Sequence, residues 1–140
     1  MLRLTNIFGP RAQMRHHHYG VLNWFIRLAI DDQVIKVFGD GSILRDVLFV
    51  DDCVEALLKS AVCENAYGEV FNVGDDRPIS FLEFVKKIIT VAGSGKWQLA
   101  PFSPERKAQE PGDYYSDITK IRGYMGWSPA TSIDEGLRKT

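Results

Sequence analysis

The chain has 140 residues, 45% of them hydrophobic and 25% charged, with a formal net charge of -1; this is the usage of a folded globular unit and excludes a disordered tail. It is long enough to bury a real core, and its near-neutral balance lacks the basic excess of a nucleic-acid platform. Cys53 and Cys63 are too few and too widely separated on one predicted helix for a disulfide scaffold or a metal knuckle; no stretch approaches the roughly 20 apolar residues that span a bilayer and no basic-then-apolar layout opens the chain, so no membrane partner is expected and the default location is cytoplasmic.

Strand and helix patterns alternate along the chain without repeats or a low-complexity linker, which predicts a mixed α/β fold. Leu2-Arg3-Leu4-Thr5-Asn6-Ile7-Phe8-Gly9-Pro10 opens it as an apolar strand ending in Asn6 and a Gly-Pro turn. Val21 to Ile30 reads as a helix with Leu22, Phe25, Ile26 and Ala29 on one face at helical spacing. Lys36 to Phe38 and Val47 to Val50 are β-branched or aromatic runs flanking Asp40-Gly41, a pair that supplies positive φ at low cost, and together they read as a hairpin.

Asp51 or Asp52 is expected to cap a helix running through Val62, with Val54, Leu57, Leu58 and Ala61 turned to the core. Glu69 to Val73 is a short strand. Ser80-Phe81-Leu82-Glu83 fits a capping box at a helix start, and Gly93 is the natural stop. Lys96 to Ala100 forms another strand. From Pro101 to Asp113 prolines and charges dominate, and the segment reads as a loop and a plausible ligand wall. Asp117 caps a short helix to about Tyr124, and Ser132 to Glu135 repeats the capping-box spacing for the last one. Trp24, Trp97 and Trp127 read as core or helix-anchoring residues, and Lys86-Lys87 as a solvated helix face.

Arg45 is the residue with the clearest chemistry. A guanidinium is a planar fork of donors suited to phosphate oxygens, and a strand mouth holds it rigidly. The competing role is a surface ion pair with Asp46, Asp51 or Asp52. Asn6 is either a turn cap or an amide offering donor and acceptor to a ligand. Asn72, at a strand end before Gly74, carries the same two roles. Phe38 offers an aromatic face or simply packs. His16-His17-His18 does not read as a metal site, because adjacent side chains project in different directions; the run reads as a loop over a substrate mouth.

Taken in order, the opening strand with Asn6 and Gly9-Pro10, the segment Lys36 to Asp52, Phe71-Asn72-Val73-Gly74, Glu110-Pro111-Gly112-Asp113, Asp117-Ile118-Thr119-Lys120, Gly126-Trp127-Ser128-Pro129 and Asp134-Glu135-Gly136-Leu137 resemble the C-terminal part of the extended short-chain dehydrogenase/reductase family, the NAD-dependent epimerases and dehydratases of nucleotide sugars. The resemblance runs from Leu2 nearly to Thr140. It implies a mixed α/β substrate-binding lobe together with the last elements of a Rossmann-type sheet.

It also implies what is absent. The family's dinucleotide-binding half carries a Gly-x-x-Gly-x-x-Gly turn at a helix N-terminus, a spacing this sequence lacks. The family's catalytic pair is a tyrosine with a lysine four positions on, the lysine lowering the phenol pKa for general acid/base work. Here Tyr19, Tyr67, Tyr114, Tyr115 and Tyr124 are followed at that distance by Asn23, Phe71, Ile118, Thr119 and Ser128. The expectation is a partial chain that begins just past the catalytic helix, carries no catalytic residue and holds neither NAD nor a metal.

For the binding residues, the resemblance sets Asn6 against the diphosphate or sugar, the backbone amides of Val21 and Leu22 near the diphosphate, Lys36 and Phe38 on the strand that carries the nucleobase, Arg45 on phosphate, Asn72 near the nucleotide and Asp113 on the ribose. At Glu110 many relatives have an arginine aimed at the diphosphate. Here that charge is reversed, leaving Arg106 or Lys107 to supply a second phosphate contact.

The implied partner is a nucleoside-diphosphate sugar. Rival readings are a non-catalytic sugar-nucleotide sensor and a structural fragment stable only beside its missing half. The chain is also expected to self-associate, through the exposed N-terminal strand or the helix starting at Asp52, because an unpaired strand edge or an apolar patch of a few hundred Å² seeks a partner.

Overall fold

The computed structural model describes residues 1–16 and 20–140. It divides into two compact units, each built from separated stretches of chain: Met1–Arg11, Asp46–Pro78 and Tyr115–Thr140 form the first, Ala12–Arg45 and Ile79–Tyr114 the second.

In the first unit, β1 (Leu2–Leu4) pairs in parallel with β6 (Phe71–Val73), and β2 (Asn6–Phe8) pairs in parallel with β5 (Val47–Phe49). Parallel strands require a long crossover, and α2 (Val50–Val62) supplies part of it. α5 (Thr119–Met125) and α6 (Ile133–Lys139) complete the unit. Leu48, Cys53, Ala56, Phe71, Val73, Ile118, Ile121 and Trp127 make its core. Trp127 is fully buried and its indole Nε1 donates to the Asp52 carbonyl at 3.1 Å, so the anchoring role expected of this tryptophan holds.

The helix starts explain themselves locally. Ser132 Oγ accepts from Glu135 N at the head of α6, and Asp117 Oδ1 accepts from Thr119 N at the head of α5. These contacts satisfy amides that have no partner inside the helix. α2 departs from expectation. Neither aspartate caps it: Phe49 is the N-cap residue, and Asp52 is buried with its carboxylate accepting from Ala130 N and Thr131 N, each at 3.1 Å. The face turned inward is also the opposite one. Cys53 and Ala56 are buried, whereas Val54, Leu57 and Leu58 are 45%, 46% and 65% exposed, and Ala61 is exposed too. Small residues allow the helix to lie close on its strands, and the larger apolar stripe is left outside.

In the second unit, β3 (Val34–Phe38) pairs in parallel with β8 (Lys96–Ala100), while β4 (Leu44–Arg45) pairs antiparallel with β7 (Ile79–Ser80). The hairpin expected between Lys36–Phe38 and Val47–Val50 therefore does not form. The turn itself exists, with Gly39 at φ 70° and Gly41 at φ 76°, but each flanking strand finds a partner far along the chain. α1 (Val21–Ile30) presents Leu22, Phe25, Ile26 and Ala29 inward as its periodicity dictates. α3 (Phe81–Ala92) begins with the reciprocal Ser80–Glu83 capping box and ends at Gly93 in the left-handed conformation. The segment expected to be a loop contains α4 (Pro104–Gln109), capped by the Ser103 hydroxyl on Arg106 N. Serine followed by proline at the first helical position is a strong start signal, and α4 buries no residue of its own.

Candidate functional site

The second unit carries a half-open cavity of about 680 Å³, inside the size range of small-molecule sites. α1 contributes Val21, Trp24, Phe25 and Leu28; β3 contributes Val34, Lys36, Val37 and Phe38; and Phe81, Phe102, Arg106, Gln109 and Glu110 close it. Three expected binding residues, Val21, Lys36 and Phe38, thus line one space. Leu22 does not; its side chain is buried, while the role expected of it rests on its backbone amide.

The wall has a distinctive aromatic–cation construction. Phe38 meets Phe102 at a ring separation of 5.8 Å, and the Arg106 guanidinium lies 4.4 Å from the centroid of the Phe38 ring. An arginine plane on an aromatic face is attracted by the ring quadrupole. Gly39 is required here: its φ is positive, and a Cβ would come within 2.8 Å of the Phe102 ring.

Arg45 sits beside this cavity without lining it. Its Nη1 donates to the Leu44 carbonyl at 2.8 Å and to the Gly112 carbonyl at 2.6 Å, and its Nη2 donates to the Glu110 carboxylate. The guanidinium also lies 5.3 Å from the Phe81 ring centroid. Neither an open phosphate fork nor a pairing with Asp46, Asp51 or Asp52 describes it. Arg45 is mostly buried, and Glu110 is its ion-pair partner. Glu110 Oε1 further accepts from Gly112 N at 3.2 Å. Asp113 is exposed, with Oδ1 accepting from Leu44 N at 2.9 Å, which ties the Glu110–Asp113 turn to β4.

Glu105, in the first turn of α4, is held below the usual carboxylate range by its own backbone amide and by the Ser103 hydroxyl. The charges on the cavity wall are thus two cations, Lys36 and Arg106, against Glu110.

Asn6 and Asn72 belong to the first unit. Asn6 Nδ2 donates to the Asp46 carbonyl at 3.2 Å and Asn72 Nδ2 to the Asp117 carbonyl at 3.3 Å, so each amide cross-links its own unit, as a turn or strand cap does. Asp46, which sequence reasoning treated as an ion-pair partner for Arg45, is fully buried. Its carboxylate accepts from the Thr5 hydroxyl, from Asp75 N at 3.3 Å and from Ser116 N at 3.1 Å. Its three donors come from all three chain segments of the unit. Of the histidine run, His16 shares a 3.3 Å contact with Gln13, and His17 and His18 lie outside the described residues. Among the described residues, no group of three or more His, Cys, Asp or Glu is placed to hold a metal ion, and no helix is long and apolar enough to cross a membrane.

Residues 1–74 match the model of the NAD dependent epimerase/dehydratase family, more than half of the chain. The chain belongs to that family. UDP-glucose 4-epimerase of Mycolicibacterium smegmatis is 35% identical over 139 residues, covering 97% of this chain and 42% of that protein. dTDP-glucose 4,6-dehydratase of Neisseria meningitidis serogroup B is 33% identical over 149 residues, covering 97% of this chain and 39% of that protein. The crystal structure of UDP-glucose 4-epimerase with UDP-glucose from Thermotoga maritima matches with a TM-score of 0.82 at 29% identity, over 99% of this chain and 43% of that one. The chain spans about two fifths of the length of these relatives.

The family's name implies NAD, and the residues present here do not fit it. A dinucleotide's pyrophosphate needs a glycine-rich turn leading from a strand into a helix. Among the described residues, β5 enters α2 through Phe49 and β7 enters α3 through the Ser80 cap, whose own side chains close the first turn. The glycine-rich turn at Gly39–Gly41 joins two strands instead.

Proposed function

We propose that this chain is the nucleotide-sugar-binding part of an NAD-dependent epimerase/dehydratase acting at C4 of a nucleoside-diphosphate hexose, inactive as the isolated polypeptide and without NAD of its own. The observation that carries the reading is the second-unit cavity of about 680 Å³, in which an aromatic platform, Phe38, lies beside cationic Lys36 and Arg106 in a chain of this family. In this reading the base takes the Phe38 face, the ribose reaches toward Asp113, and the diphosphate is drawn to Arg45 and to the first amides of α1 at Val21 and Leu22. The two cysteines are free thiols, in keeping with a cytoplasmic protein.

Calorimetric titration with UDP, UDP-glucose and dTDP-glucose tests it. Base–aromatic stacking contributes about 1–3 kcal/mol, so Phe38→Ala should weaken binding by about 5- to 150-fold. NAD should give no heat. The reading fails if none of the three nucleotides binds, or if Phe38→Ala binds them as the unaltered chain does.

We also propose that the chain pairs with a second copy of itself through α2. That helix is apolar on two opposed faces: Cys53 and Ala56 serve its own core, and Val54, Leu57, Leu58 and Val62 face outward. A helix with apolar residues on its solvent side as well as its core side can sit between two layers. Glu55 and Lys59, paired at 2.9 Å on the same helix, are set to exchange partners across an antiparallel contact of two such helices.

A further inference from the structure

We propose that the segment Pro104–Glu110 is a built-in pseudo-ligand, whose Arg106 covers the base platform and whose Glu110 occupies the phosphate-binding arginine until a nucleoside diphosphate displaces both. The inference rests on the nucleotide reading of the cavity and adds to it the group that a ligand must displace.

Two observations coincide on this one short stretch. Arg106 lays a planar, π-bearing cation on the face of Phe38 at 4.4 Å, the geometry in which a nucleobase stacks. Glu110, four residues on, puts a carboxylate on Nη2 of Arg45, the geometry in which a phosphate oxygen is held. Glu110 lines the cavity while Arg45 does not, so the carboxylate screens the guanidinium from a ligand arriving there. Arg45 keeps a hold without Glu110, because Nη1 also donates to the Leu44 and Gly112 carbonyls. It is a preformed anion site with an internal anion in it.

The segment is also free to leave. α4 has no buried residue, and the segment is tied to the rest of the unit through the Arg106 stack and the Glu110 carboxylate. A helix of six residues has little stability apart from its contacts, so competition at both points is enough to lift it. Internal anion and internal plane act together. A ligand with a base and no phosphate, or the reverse, meets only one of them.

The test is affinity for UDP, and separately for inorganic pyrophosphate, in the unaltered chain, Glu110→Gln, Glu110→Ala and the double variant Arg45→Ala/Glu110→Gln. Removing the competing carboxylate should tighten both probes by about tenfold or more, and the double variant should lose that gain. Glu110→Gln preserves side-chain volume, and amide exchange over Pro104–Gln109 in that protein should speed up, showing that the pair tethers α4. Binding of both UDP and pyrophosphate that is equal or weaker in both Glu110 variants overturns the pseudo-ligand and leaves the nucleotide reading standing. Tightening for pyrophosphate alone keeps Glu110 as the internal anion and refutes the base-binding reading. Binding of neither probe by any variant overturns both.

Discussion

Asp46 is the point where the first unit is most exposed to a single change. It is fully buried, with Oδ2 accepting from Asp75 N and Ser116 N and Oδ1 accepting from the Thr5 hydroxyl. Asp46→Ala leaves two amides buried and unpaired, at about 1–3 kcal/mol each, so the unit should lose about 2–6 kcal/mol. Asp46→Asn should cost less. Its carbonyl can stay at the Oδ2 position for the two amides, and its amide nitrogen can face Thr5, whose hydroxyl turns to accept. Only the charge assistance of the two N–H bonds is then lost, about 1–3 kcal/mol. Gly74→Ala reaches the same node from outside. Its Cβ would lie far inside contact distance of the Asp46 carboxylate and within 2.7 Å of Ser116 Cβ, so it should fall with the alanine variant. Urea unfolding followed by circular dichroism ranks the three. An Asp46→Ala protein within 0.5 kcal/mol of the unaltered chain, the ordinary range for surface changes, would refute this account of the node.

Two further outcomes follow from the same geometry. The chain should sediment as a dimer at micromolar concentration, and Leu58→Asp, which sets a charge on the 65% exposed centre of the outer α2 face, should give a monomer with unchanged circular dichroism; a monomeric unaltered chain at high micromolar concentration defeats the α2 pairing. Asp76 is held below its ordinary pKa of 3.8, first by the hydrogen bond from Arg122. A lowered folded-state pKa means the unfolded chain binds more protons, so this contribution is present above that value and lost as pH falls through the lowered one. The pair is exposed, so Arg122→Ala should cost no more than about 0.5 kcal/mol at neutral pH, with the difference closing in acid urea titrations below that window.

Elements governed by near neighbours were legible in the sequence. α1 follows from apolar spacing and α3 from its capping box and Gly93, because both signals act within a few residues. Pairing was not legible. Lys36–Phe38 and Val47–Val50 looked like a hairpin because proximity in sequence favours it, yet β3 takes β8 and β5 takes β2, choices made by burial across long separations. α2 misled for another reason: periodicity finds the bulkier stripe, whereas close packing on a strand selects Cys53 and Ala56. The site divided the same way. Phe38, Lys36 and Val21, singled out through the family resemblance, line one cavity, but the partner of Arg45 lies 65 residues away, and no local pattern links the two. Ser103-Pro104 did announce α4, beneath a charge density that reads as loop.

The first unit is assembled from three separated stretches, and this sets an order of events during synthesis. β1 leaves the ribosome well before its partner, which ends at Val73, and Ser116, which donates to Asp46, comes later still. At about 5–20 residues per second, Leu2–Leu4 waits several seconds with its strand edges open. The second unit also waits, for β8 and for Glu110. Both units therefore close only after their last segments have emerged, so the nascent chain passes through a period when apolar strands are exposed and have no native partner to reach. A holdase or a slowed ribosome during that interval should affect yield far more than any change to the finished core.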